Sequence, residues 1–162
     1  SHEKALKQQM IQFNLAQHLA DALASTTNAV IASNETNSAP PTSLHVTVDR
    51  IGLDAMDYAG WNYAFQTEVH VAITGTNSSA PLWEHGYVYC HQTVEKENVP
   101  FTTFLRYEKP APHFLSPYKG NAGRRRLQEQ LDDATQRLGG QIAADLTKVG
   151  LTVTSSGALL TR

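Results

Sequence analysis

The stretch from Trp61 to Ile73, WNYAFQTEVHVAI, constrains the fold more than any other part of the chain. Its odd positions are Trp61, Tyr63, Phe65, Thr67, Val69, Val71 and Ile73, all apolar or β-branched; its even positions are Asn62, Ala64, Gln66, Glu68, His70 and Ala72. Successive side chains of a strand point to opposite faces. This phase therefore predicts a long strand with one face on a core and the other wetter. Gly75 to Pro81 supplies a turn, and Leu82 to Gln92 returns as the partner strand of an antiparallel hairpin.

Two registers are open to that hairpin. If paired residue numbers sum to 155, Leu82, Glu84, Gly86, Val88 and Cys90 share the core face and Trp83, Tyr87 and Tyr89 lie outside. If they sum to 156, Ile73 faces Trp83, Val69 faces Tyr87 and Thr67 faces Tyr89, and the three aromatics fill the core. A one-residue slip exchanges the faces. The second register buries more aromatic area and leaves Glu84 in water, so it is preferred.

Helical signals flank the strands. From Lys4 to about Ser25 the residues Leu6, Met10, Ile11, Phe13, Leu15, Leu19, Ala22 and Leu23 form one broad apolar face. Ala29 to Ala32 reads as a short edge strand, and Asn34 to Thr42 as a polar loop. Leu44, Val46 and Val48 alternate with His45, Thr47 and Asp49, and then the phase shifts to Ile51 and Leu53. A one-residue shift predicts a β-bulge near Asp49 and Arg50. Asp54 to Gly60 is turn-like. Thr93 to Gly123, with Pro100, Pro110, Pro112 and Pro117, reads as irregular backbone. A second helix is predicted from Arg124 to Val149. Gly139-Gly140 inside it predicts a kink or a close helix–sheet approach, and Gly150 suits the position just past its end.

These elements predict one α+β domain over residues 1–150: an antiparallel sheet of three or four strands with two helices packed on one face. Residues 151–162 form a C-terminal tail that adds a strand or is disordered. At 162 residues the chain is long enough to bury a core without covalent staples.

Composition narrows the function. The charged fraction is 17 %, below the roughly 25 % of an average soluble domain, as suits an exported protein. Net charge is −2, which leaves no electrostatic footprint for nucleic acid. Arg124-Arg125-Arg126 is the one basic cluster and reads as a solvated helix start or, alternatively, as a patch for anionic lipid or an acidic partner. Cys90 is the single cysteine, read as a buried inert thiol, so no intramolecular disulfide and no cysteine-based metal site can form. No apolar run reaches the ~18 residues of a membrane span. The start at Ser1-His2, followed directly by helix, reads as a chain whose leader has been removed.

Candidate chemistry is sparse. His85 and His91 are six residues apart on one strand, about 20 Å, too far to share an ion. His70 and His85 approach only in the less favoured register. Asp54 and Asp57 sit in a turn, and Glu84 and His85 point to opposite faces. No nucleophile elbow, P-loop or dinucleotide fingerprint occurs. No catalytic residue, metal ligand or cofactor site is assigned, and the chain is read as a non-enzyme.

The order of elements resembles a known group. A helix containing LAQHLADALA precedes NAVIA, then SLHVTVDRIGLD, YAFQTEVHVAIT and a strand opening APLWEHGYVYC, and the helix LQEQLDDATQRLGGQIAADL closes the set. This is similar to the small bacterial envelope lipoproteins that accompany ABC-type transport systems. It also resembles the α+β domains of the lipopolysaccharide-assembly lipoprotein and the N-terminal part of TolB. The shared strings are the Leu-Trp that begins the returning strand and the pattern of the last helix. The resemblance spans roughly Phe13 to Val149. No first strand precedes the opening helix and no lipid-bearing cysteine is present, which departs from the group's pattern.

The resemblance implies a non-enzymatic periplasmic protein, anchored to the outer membrane through an N-terminal lipid absent from this chain. It would act through an envelope protein complex or lipid, and it carries over no catalytic residues. The expected contact surface is the aromatic, proline-rich segment from Pro100 to Tyr118, with Phe101, Phe104, Tyr107, Phe114 and Tyr118 as anchors. The alternative expectation is a small-ligand or lipid-binding module whose apolar pocket between sheet and helices is lined by Trp61, Tyr63, Phe65 and Trp83. A third, an enzyme, requires Glu84, His85 and Asp54 or Asp57 to converge in a cleft.

Overall fold

The computed structural model describes residues 2–31, 42–55, 63–75, 80–90, 99–106, 118–149, 151–153 and 158–161. In chain order the elements are α1 (His2–Phe13), α2 (Leu15–Ile31), β1 (Thr42–Ala55), β2 (Tyr63–Gly75), β3 (Pro81–Cys90), β4 (Thr102–Arg106), α3 (Gly120–Lys148), β5 (Leu151–Val153) and β6 (Ala158–Thr161). The fold is α+β, with the helices over one face of a single sheet of order β4-β3-β2-β1-β6-β5.

The opening helix is broken once. Asn14 sits at φ 53°, a left-handed conformation that asparagine tolerates better than most residues. Its backbone N–H donates to the Ile11 carbonyl at 3.2 Å and closes α1, and its Oδ1 accepts from the Gln17 N–H at 3.3 Å and caps α2. The buried positions are Leu6, Met10, Leu15, Leu19 and Leu23. The step of five between Met10 and Leu15 does not fit a straight helix, and the break absorbs it. Ile11, counted in the apolar face by spacing alone, is 60 % exposed. The expected edge strand at Ala29 to Ala32 is not formed: α2 runs on to Ile31. Extending an existing helix gains one hydrogen bond per residue without a new nucleus.

The strands follow the sequence pattern closely. β1 pairs with β2, and the register shifts between Val48 and Arg50, so Asp49 is the extra residue of the expected bulge. β2 buries Phe65, Thr67, Val69, Val71 and Ile73. In the β2–β3 pair Ile73 opposes Trp83, Val69 opposes Tyr87 and Thr67 opposes Tyr89, the register that buries the tyrosines. Tyr87 and Tyr89 are fully buried, whereas Trp83, near the turn, is only half-buried. Glu84 faces solvent.

Two expectations for the sheet need correction. It has six strands and is mixed, because β4 pairs with β3 in parallel. β4 lies in the stretch read as irregular; five residues are too few to show alternation between prolines and polar turns. The tail contributes β5 and β6, an antiparallel pair that joins the sheet at Thr42 and Ser43 of β1.

Helix α3 is 29 residues long and continuous through Gly139-Gly140. Leu127, Leu131, Ala134, Leu138, Ile142 and Leu146 line its buried stripe. The close approach at Gly139 is between helices rather than to the sheet: a Cβ there would lie 3.5 Å from the Ala22 side chain of α2. The helix begins four residues before Arg124, and among the described glycines the closest backbone approach is at this end. A Cβ on Gly123 would come within 2.0 Å of the Tyr118 carbonyl carbon.

Candidate interaction surface

Two aromatic arrangements on β3 differ in purpose. The first anchors α3. The Tyr87 hydroxyl donates to Asp145 Oδ2 at 2.7 Å, and the Tyr89 hydroxyl donates to Asp133 Oδ2 at 2.6 Å. Gln141 Nε2 donates to the other oxygen of Asp145 at 3.0 Å, and Arg137 pairs with Asp133 at 3.2 Å. Near the start of α3, the buried Tyr118 hydroxyl donates to Gln130 Oε1 at 2.9 Å, and the Arg126 guanidinium lies 6.0 Å from its ring centre. These are structural contacts: the polar tips of buried rings find partners on the helix that covers them.

Burial pushes the Tyr87 hydroxyl far above its ordinary range, and its bond to the Asp145 carboxylate adds to the rise. Burial raises Tyr118 as well, outweighing the opposite effects of Gln130 and Arg126. Both phenols stay protonated in the folded chain where the unfolded chain begins to ionise, at about pH 10. Their contribution is complete below that pH. It declines above it by up to about 1.4 kcal/mol per pH unit for each tyrosine, until the folded hydroxyls ionise in turn. Urea midpoints should therefore hold steady up to pH ~9 and then fall. The fall should be shallower in a Tyr87→Phe variant than in the wild type.

The second arrangement is at the sheet edge. His85 stacks on Trp83 with ring centres 5.9 Å apart, meets Tyr87 edge-on at 4.9 Å, and shares a 2.7 Å hydrogen bond with Thr103 Oγ1 of β4. β4 has no neighbour on its outer side among the described residues, so it presents backbone donors and acceptors there. Just before it, Phe101 adopts φ 57° and is 79 % exposed. Its carbonyl accepts the Gly86 N–H at 2.8 Å, which pins the turn against β3. Gly86 leaves room for this: a Cβ there would lie 3.5 Å from the Phe101 carbonyl oxygen and 3.3 Å from Thr102 Oγ1. Val99, two residues before Phe101, is 41 % exposed.

The expected anchors separate. Phe101 is exposed, and Phe104, opposite Val88, is half-buried on the sheet face away from the helices. Tyr118 is a correction: it is 3 % exposed and holds the start of α3, so it is no surface anchor. In a segment this rich in aromatics, only the chain's path distinguishes a covered ring from a free one. Tyr107 and Phe114 lie outside the described residues.

The expected pocket residues do not converge either. Phe65 is fully buried against Tyr89, with ring centres 5.9 Å apart. Trp83 opposes Ile73, eight residues from Phe65 along β2 and hence about 26 Å away. Tyr63 is at the far end with Phe65, and Trp61 lies outside the described residues. An open groove of about 380 Å³ lies elsewhere, between Asn14, Ala16, Gln17 and Ala20 and the β1 residues Leu44 to Thr47.

Nor do Glu84, His85 and Asp54 meet. Glu84 contacts His70 at 3.4 Å on the sheet face opposite His85, and Asp54 pairs with Arg50 on β1. Asp57 lies outside the described residues. Among the described residues, no group of three His, Cys, Asp or Glu side chains is placed to hold a metal ion, and no helix is long and apolar enough to cross a membrane. Sequence reasoning missed the β4 edge and the carboxylates that meet the tyrosines. The β-branched pair Thr102-Thr103 was the available signal for the first. No known protein family, curated protein or solved structure matches the chain.

Proposed function

We propose that the protein is a non-enzymatic accessory component of the bacterial cell envelope. It acts in the periplasm by contact with a protein partner of a transport or assembly complex. The envelope setting rests on the resemblance in element order and in the last helix. The contact reading rests on Phe101. A bulky residue in left-handed backbone costs about 1–2 kcal/mol where glycine would cost nothing. Here that residue also leaves its ring in water. Such departures from local preference concentrate at functional sites. Phe101 directly precedes β4, whose outer edge has no neighbour among the described residues, so an extended partner segment can pair there by backbone bonds while the ring takes a pocket.

The test is capture of partners from solubilised envelope with wild-type and Phe101→Gly protein. The variant should fold with no loss of stability and a gain of up to about 1 kcal/mol. Its affinity for the captured partner should fall by about thirtyfold or more, as for a central interface aromatic. Undiminished binding would remove Phe101 from the interface and leave the contact reading without its support.

A further inference from the structure

β1 is long, and among the described residues only its first two are paired on the side away from β2. β6 pairs with Thr42 and Ser43, and among the described residues no strand pairs with that edge from Leu44 to Ala55. An edge this long is a template for another strand.

The edge is complementary to itself. Placed antiparallel to a second copy with paired numbers summing to 99, Asp49 opposes Arg50, which also pairs with Asp54 of its own copy, while Val48 opposes Ile51 and Val46 opposes Leu53, each twice. The faces agree as well. Leu44, Val46, Val48, Ile51 and Leu53 all pack toward the core, while His45 and Thr47 are exposed. The bulge makes this possible. It shifts the phase at Asp49, so that even positions before it and odd positions after it share a face. A bulge ordinarily discourages edge pairing, but here it lies on the two-fold axis, where both copies bend alike. An open groove lies beside Leu44 to Thr47, next to this edge.

We propose that the β1 edge, Leu44 to Ala55, joins a second copy of this chain in a two-fold antiparallel pair, producing one continuous sheet. The interface is isologous. It leaves Phe101 and β4 free at the outer ends of the joined sheet, so it stands independently of the partner-contact reading.

Sedimentation velocity over a concentration series tests this with charge exchange. The wild type should dimerise, more weakly as salt is raised. Asp49→Arg and Arg50→Asp each place like charges opposite one another twice, and each should weaken self-association about ten- to a hundredfold. Mixing the two variants restores opposite charges at both pairs and should restore the dimer. That result also shows both variants to be folded. A nitroxide on Thr47→Cys, an exposed position, provides a second reading without disturbing those charges. Its two copies should lie about 20 Å apart, from a five-residue offset along paired strands. A wild type monomeric throughout, a dimer indifferent to both exchanges, or labels beyond about 40 Å apart would overturn the proposal.

Discussion

Gly123→Ala should destabilise the protein by about 3 kcal/mol or more, the opposite sign from an ordinary glycine-to-alanine change inside a helix. The usual substitution gains because alanine restricts the unfolded chain and suits helical backbone. At Gly123 the added carbon would meet the backbone of Tyr118 at 2.0 to 2.5 Å, and backbone cannot swing aside as a side-chain tip can. Either the first turn of α3 unwinds or Tyr118 leaves the core, breaking its bond to Gln130. Gly140→Ala is the matched comparison. It lies in the same helix with nothing within 4 Å of the new carbon, and it should raise stability by about 0.5–1 kcal/mol. Urea unfolding of both variants measures the contrast. Equal and positive effects would mean that the approach at Gly123 relaxes at little cost.

Phe65→Ala should cost about 3–5 kcal/mol, the range for emptying a core of a phenylalanine ring. The ring is fully buried and packed against Tyr89, so its removal leaves a cavity between sheet and helices. A residue lining an open ligand pocket would respond differently, because water already occupies the space beside it. Chemical denaturation therefore separates the two roles assigned to this aromatic. A loss below about 1 kcal/mol would return Phe65 to the pocket-lining reading, since that is the scale of a change outside the core.

Much of the sheet was legible because its signals are periodic and redundant. Phe65, Val69 and Ile73 in one phase left few choices of face, and Tyr87 and Tyr89 decided the register by the area they bury. The bulge at Asp49 was legible for the same reason: one residue out of phase moves every later side chain. The break at Asn14 was not, because a helical stripe read with a tolerance of one residue passes over a step of five. β4 escaped because its pairing with β3 depends on a connection that returns the chain in parallel, which no local pattern encodes. Among the candidate anchors, Phe101 and Tyr118 look alike in sequence. Glycine separates them: Gly123 lets α3 close over Tyr118, while Gly86 holds the turn that leaves Phe101 outside.

Tyr87 and Tyr89 are two residues apart on β3, about 7 Å, yet the carboxylates they reach are twelve residues apart on α3, about 18 Å. Two rigid struts rising from nearly one footing to well-separated points on a rod form a truss. A single strut would let the rod pivot, and apolar contacts alone would let it slide by a turn into a similar groove. The pair fixes both the crossing angle and the axial position of the helix. With one hydroxyl removed, α3 would keep the other strut, the Tyr118–Gln130 bond and its buried stripe, but would lose one of the points that aim it.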